Sequence, residues 1–153
     1  MKIHILSKLQ EGAWGGGNQF QKALREYFRD QGCYAKKLDS ADVVLVNSHH
    51  WIEHLWNLFL WKRSDSRRAI LHRVDGPISI VRDAPEQIII DQGIIAFNHH
   101  FADCTIFQST WSKEQCLKLG METDKPSVTI LNAPDTSIFY PAGNSPPRAP
   151  LRI

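Results

Sequence analysis

The feature that most constrains this chain is Val43-Val44-Leu45-Val46, four β-branched or aliphatic residues with no polar interruption. A strand with one face in water alternates apolar and polar side chains. A run that is apolar at every position needs cover on both faces. The same theme recurs along the chain. Ile3–Leu6, Ala69–His72, Cys104–Phe107 and Val128–Leu131 are short apolar runs, and Tyr34–Leu38 is a weaker one. Between them lie segments with helical spacing. Over 18–31, Phe20, Ala23, Leu24, Tyr27 and Phe28 fall on one helical face, and Gly32 stands where a C-terminal glycine closes a helix. Further helices are expected at about 50–63, 84–101 and 111–119. Asp39–Asp42 reads as a turn.

Strand and helix alternating in this way, with continuous strands, predict an α/β fold: a doubly wound, Rossmann-like parallel sheet with helices on both faces. An antiparallel α+β sheet is disfavoured because hairpin signals are missing; the single Asp75-Gly76 runs into Pro77 and no strand. The 42% apolar content is enough for a core. With 18 Lys+Arg against 16 Asp+Glu, the charge is nearly balanced, which argues against a nucleic-acid partner. Cys33, Cys104 and Cys116 are odd in number and widely spaced, so neither a disulfide scaffold nor a metal knuckle is indicated. No signal peptide or membrane span is legible, and the expectation is a soluble, cytoplasmic protein.

Three stretches carry chemistry. The loop after the first strand ends in Gly15-Gly16-Gly17-Asn18, where glycine lets a backbone approach an anion and the following helix offers free N–H groups. As a dinucleotide fingerprint it is incomplete, since Phe20 stands where the third glycine belongs; Asp39 sits near the place of a ribose-binding acid. Next, His72-Arg73-Val74-Asp75 ends a buried strand at the sheet edge where α/β folds bind ligands. His72 is a candidate base, Arg73 an anion clamp and Asp75 a hydrogen-bonding carboxylate, with Arg82 and Asp83 adding charge nearby. The bland alternative is an Arg73–Asp75 pair beside a half-buried His72. Ser48 and His49 end another strand at the same edge. His50 and His54 have metal-compatible spacing, but nothing completes a ligand set, so no metal is expected.

The segment 51–63, WIEHLWNLFLWKR, is apolar over a wide arc formed by Trp51, Ile52, Leu55, Trp56, Leu58, Phe59 and Leu60, and Trp61 falls among Glu53, His54 and Asn57. It reads as a helix buried against the sheet. The alternative is an interfacial helix, with Lys62 and Arg63 at a membrane surface or a protein partner. Residues 142–150 have linker composition, and Leu151-Arg152-Ile153 resembles the opening of another strand.

These motifs together resemble one family. Ile130 to Pro141 is similar to the "I-x-N-G-V-D-x-x-x-F-x-P" signature of retaining GT-B glycosyltransferases of the group 1 (family 4) class, with Asn132, Asp135, Phe139 and Pro141 at matching offsets and Ala133-Pro134 in place of Gly-Val. Ala102 to Ser109, followed by a helix ending at Gly120, resembles the unit that precedes it in that family. The resemblance covers about residues 1–141 and implies an N-terminal, acceptor-side domain, with 142–153 a linker and the start of a second domain. It implies transfer of a sugar from a nucleotide-sugar donor to a glycan or lipid-linked acceptor, with no further cofactor. It also implies that Gly15, Gly16, Gly17 and Asn18 form the phosphate-facing loop, that His72 or Asp75 faces the sugar, and that Asn132 lies near the hinge. Arg73, Ser48 and His49 are the accompanying binding candidates. The donor-binding half is expected from a second domain or subunit, and the 153 residues alone are expected to be inactive. Two other readings stay open: a non-catalytic Rossmann-like module holding a sugar nucleotide or a partner, and an NAD-dependent oxidoreductase domain using Gly15, Gly17 and Asp39.

Overall fold

The computed structural model describes residues 1–7, 9–11, 16–122 and 124–132. Five strands, β1 (Ile3–Leu6), β2 (Val43–Asn47), β3 (Ala69–Val74), β4 (Cys104–Phe107) and β5 (Ser127–Thr129), form one sheet in the spatial order β1-β2-β3-β4-β5. Every pairing is parallel, with Val44 opposite His4 and Ile70, and Phe107 opposite Val74 and Thr129. On the other edge of β1, the Ile3 amide donates to Cys33 O and the Ala35 amide to Ile3 O, making a single parallel bridge to Tyr34. The weak strand expected at Tyr34–Leu38 is therefore one bridge, followed by a 3-10 turn at Leu38–Ser40. Even so, the bridge has a topological effect. The chain leaves β1 to one side, returns, and continues on the other side from β2, so the order reverses at β1 and β2.

Helices α1 (Gly16–Asp30), α2 (Leu55–Ser64), α3 (Ile78–Val81), α4 (Ile88–Phe101) and α5 (Thr110–Lys118) flank the sheet. Neighbouring residues of a strand point to opposite faces, and β3 shows which helix covers which. Val74 packs in a core with Ile94 of α4 and Cys116 of α5, whereas the Arg73 guanidinium lies 4.1 Å from the Phe20 ring centroid of α1. Val44, Val46 and Ile70 join Leu58 and Trp61 of α2 and Phe97 of α4. α1 thus covers one face, and α2, α4 and α5 the other. Gly32, with φ +63°, ends α1: its amide bonds to Arg29 O and the next amide, Cys33, to Phe28 O, a closure that needs a left-handed residue. Ser109 caps α5 by accepting the Ser112 amide at 3.0 Å. Asp103 ties two elements together, taking the Ile70 amide at 2.7 Å and the Lys62 ammonium at 2.6 Å.

The segment expected as one helix over about 50–63 is a 3-10 turn, Ile52–His54, followed by α2, and its orientation also differs from the expected one. Trp61, read as outward, is buried with Leu58, while Ile52, Trp56 and Leu60 of the supposed buried arc are exposed. The segment is apolar almost all round, so the centre of an apolar arc does not single out the side that meets the sheet. Spacing does: Trp51, Leu55, Leu58 and Trp61 recur three or four residues apart, and all four belong to or pack against one core cluster. Among the described residues, no helix is long and apolar enough to cross a membrane.

Candidate functional site

In open α/β sheets, ligands bind beyond the carboxyl ends of the strands, where the strand order reverses. A cavity of about 950 Å³ occupies that place. One wall is the start of α1, with Gly16, Gly17, Asn18 and Gln21. The floor is the strand ends Asn47, Ser48 and Asp75. The far side is apolar, made by Ile78, Ile80, Val81 and Trp111, with His49, His50 and Arg82 at the rim. Gly76 shapes this side. Its φ is +118°, and a Cβ there would stand 3.1 Å from the Trp111 ring, so the turn after β3 requires glycine. The short helix α3 is held by the buried Asp91 carboxylate, which accepts the Ile78 amide at 2.6 Å, the Ser79 amide at 3.0 Å and the Ser79 hydroxyl at 2.5 Å.

Beneath the floor lies a buried polar network centred on Arg73, which is 1% exposed. Its guanidinium donates to Asn47 Oδ1 at 2.5 Å and to Asp75 Oδ1, and on its other side to Gln108 Oε1 at 2.9 Å and Asn132 Oδ1 at 3.0 Å. Asn47 Nδ2 and the Ser48 hydroxyl donate to the second Asp75 oxygen at 2.9 and 3.3 Å. A fork of this kind, with the ring of Phe20 stacked on it, fixes four acceptors at once. The paired reading of Arg73 and Asp75 is therefore the realised one, and Arg73 is not brought to the cavity as an anion clamp. Asp75 does reach the cavity, about one third exposed, with its carboxylate oriented from below.

His72 is fully buried on the opposite face of β3 and is not part of the cavity wall. Its Nε2 meets Ser48 O at 2.9 Å and its Nδ1 meets the Asn98 side-chain amide at 3.1 Å. An amide donor at Nδ1 and a carbonyl at Nε2 assign the proton to Nε2. Burial pushes the imidazole down to about 4, against the smaller upward pulls of the Ser48 carbonyl and Asp75. A neutral, sealed ring with both nitrogens engaged has no atom left for a substrate. What it does is hold Ser48 in place. That residue has φ +44°, a conformation uncommon outside glycine, and is pinned by the His72 bond and by its own amide to Arg73 O at 2.7 Å.

Of the other sequence candidates, Gly16 and Gly17 line the cavity at the helix start, while Gly15 lies outside the described residues. Asn18 lines it too, but its amide is used by the backbone of Gln10, at 2.9 and 3.0 Å. Ser48 and His49 line it, and Asn132 stands behind it on Arg73. Asp39 is not in the lining, and its carbonyl accepts from Arg68. Positions 133–141 of the family-like signature and the linker 142–153 lie outside the described residues.

Sequence reasoning missed Gln21, which lies one helical turn after Gly17 and is 2% exposed. Gln21 Oε1, Ser7 Oγ and His49 Nδ1 are buried polar atoms of lining residues, and none has a hydrogen-bond partner among the described residues. Burial, the neighbouring His50 and Arg82 push the His49 imidazole down, so it is neutral at pH 7. The three residues line the hollow, but these three atoms are closed off from solvent and lie within its wall, not at its surface. Among the described residues, no group of three or more His, Cys, Asp or Glu side chains is placed to hold a metal ion. Burial lifts the Cys116 thiol to about 12, which leaves it without nucleophilic character at neutral pH. Comparison with protein-family models, curated proteins and solved structures finds no match to this chain.

Proposed function

We propose that this chain is the acceptor-side, N-terminal domain of a GT-B type glycosyltransferase, which moves a sugar from a nucleotide-sugar donor to an acceptor hydroxyl. The observation that carries the reading is the approach of Gly17 to Asp75 across the switch-point cavity. A methyl group on Gly17 would lie 4.0 Å from Asp75 Oδ2 and 3.9 Å from Asn47 Nδ2. The start of a 15-residue helix, whose first N–H groups have no intrahelical partner, thereby borders the same hollow as an oriented carboxylate. In the proposed reaction the acceptor oxygen bonds to the anomeric carbon, the diphosphate leaves with the electron pair of the broken C–O bond, and the proton of the acceptor hydroxyl passes to a departing phosphate oxygen. The α1 N-terminus offsets the charge growing on that diphosphate. Asp75 accepts a hydrogen bond from a sugar or acceptor hydroxyl, and the neutral His49 side chain lines the hollow beside it. Gln21 and Ser7 complete the polar wall. His72 acts one layer down, through Ser48, as a positioning residue. A second domain or subunit supplies the remaining donor contacts.

The test is amide NMR on the full chain, titrated in parallel with UDP- and GDP-sugars and with NAD. A sugar nucleotide is expected to shift the amides of Gly16, Gly17, Ser48 and Gln21, with NAD leaving them in place. Shifts at these amides with NAD, and none with sugar nucleotides, would transfer the site to the oxidoreductase reading.

A further inference from the structure

Helix α2 turns Leu58 and Trp61 into the core, yet its outer surface is also apolar. On it Trp56 and Leu60, four residues apart, are 69% and 50% exposed, and Ile52, in the 3-10 turn Ile52–His54 that leads into α2, is 55% exposed. Phe59 stacks on Trp56 at 5.4 Å, and the Arg63 guanidinium stands 5.5 Å over the Phe59 ring. Burying this stripe within the fold would need a further layer on that side, and among the described residues no core cluster includes it. At its C-terminal end the stripe opens into a groove of about 430 Å³, bordered by Phe59, Lys62, Arg63, His100, Asp103 and Lys125. Three permanent cations there face one carboxylate, and that carboxylate is already paired with Lys62 at 2.6 Å. Lys125 is bonded to the carbonyls of Asn98, His99 and Ala102 at the end of α4, so its charge meets only uncharged acceptors.

We propose that this face docks on an anionic lipid bilayer. The side chains of Ile52, Trp56 and Leu60 enter the boundary between headgroups and acyl chains, and the groove cations meet lipid phosphates. Charge complementarity selects this occupant: the apolar stripe ends in a net positive groove, the pairing a negatively charged membrane surface satisfies at both points. Shape agrees with it. Apolar side chains standing out from a convex helix and the turn before it need a yielding surface, whereas a folded partner would have to supply a matching furrow. The placement also has a consequence for the cavity. Ile52 follows His49 and His50 of its rim almost directly, so docking along α2 brings the cavity mouth to the membrane surface. The inference rests on α2 and its groove alone and does not require the sugar-transfer reading.

Co-sedimentation of the full chain with vesicles tests it. Mixed phosphatidylcholine–phosphatidylglycerol vesicles are expected to pellet the protein, and phosphatidylcholine alone or high salt to leave it in solution. Replacing Trp56→Ser together with Leu60→Ser, or Arg63→Glu alone, is expected to lower the partition coefficient about tenfold. Both variants alter exposed side chains, and circular dichroism is expected to give the parent spectrum and melting curve. Brominated lipids in the mixed vesicles provide a measurement without mutation, expected to quench tryptophan emission of the parent protein. Absence of binding to anionic vesicles, or equal binding by parent and variants, overturns the proposal. So does concentration-dependent self-association that the Trp56→Ser, Leu60→Ser protein loses, in the absence of vesicle binding; that result would give the stripe to a protein partner.

Discussion

Replacing His72 by glutamine separates the buried scaffold of the cavity from its surface chemistry. In the folded chain the imidazole titrates near 4, below its ordinary 6.5, because protonation would place a charge in a fully enclosed site. Between these two values the unfolded chain binds a proton that the folded chain does not, so stability rises with pH across the window. It is complete above about 6.5 and is lost progressively as the pH falls toward 4. The whole difference corresponds to about 3 kcal/mol, and the part already lost at pH 5 to about 2 kcal/mol. Glutamine can donate to Ser48 O and accept from Asn98 without titrating. Urea unfolding of both proteins at pH 7.5 and pH 5 is therefore expected to show a loss about 2 kcal/mol larger in the parent. Comparing the two removes the contributions of the other six histidines, which both proteins share. An equal loss in both would mean that the ring is protonated or open to water in the folded chain, and the structural role assigned to His72 would fall.

Other perturbations probe the layers above it. Arg73→Met leaves the Asp75 carboxylate without its cation and four acceptors short of a donor, and is expected to cost about 3 kcal/mol in urea unfolding. Adding Asp75→Asn returns part of that loss, because no unpaired charge remains; a fully additive pair would deny the ion pair its place in the network. Asp91→Asn weakens the three bonds that hold the start of α3, with an expected cost of about 2 kcal/mol and faster amide exchange at Ile80 and Val81 on the cavity wall. Gly17→Ala is expected to stay within about 1 kcal/mol of the parent stability, since it replaces a helical glycine and its methyl would make only ordinary contact with Asn47 Nδ2 at 3.9 Å and Asp75 Oδ2 at 4.0 Å, while weakening the sugar-nucleotide response by narrowing the approach to Asp75.

The sequence carried the sheet because continuous apolar runs such as Val43–Val46 have few other solutions, and the strand ends followed from it. Ser48, His49 and Asp75 around one cavity are a direct product of that order. What sequence could not carry was direction. His72 and Arg73 are adjacent and both look like site residues, yet a strand sends neighbours to opposite faces. His72 goes beneath α4, where Asn98 receives it, and Arg73 goes beneath α1, where Phe20 covers it. Gln21 was hidden for a related reason. Its position one turn after Gly17 gives it to the cavity, but only knowledge of which way α1 faces distinguishes it from a solvated glutamine. The two corrected histidine and arginine roles still belong to one device. His72 fixes the strained Ser48, Arg73 fixes Asn47 and Asp75, and both act from below on the three residues that form the cavity floor. A carboxylate held on two sides by a buried cation, an amide and a hydroxyl keeps its orientation when water leaves the cavity, which is the property the proposed role of Asp75 requires. The ionisable pair thus supplies geometry to the site, and in the proposed reaction the chemistry falls to the α1 N-terminus and Asp75.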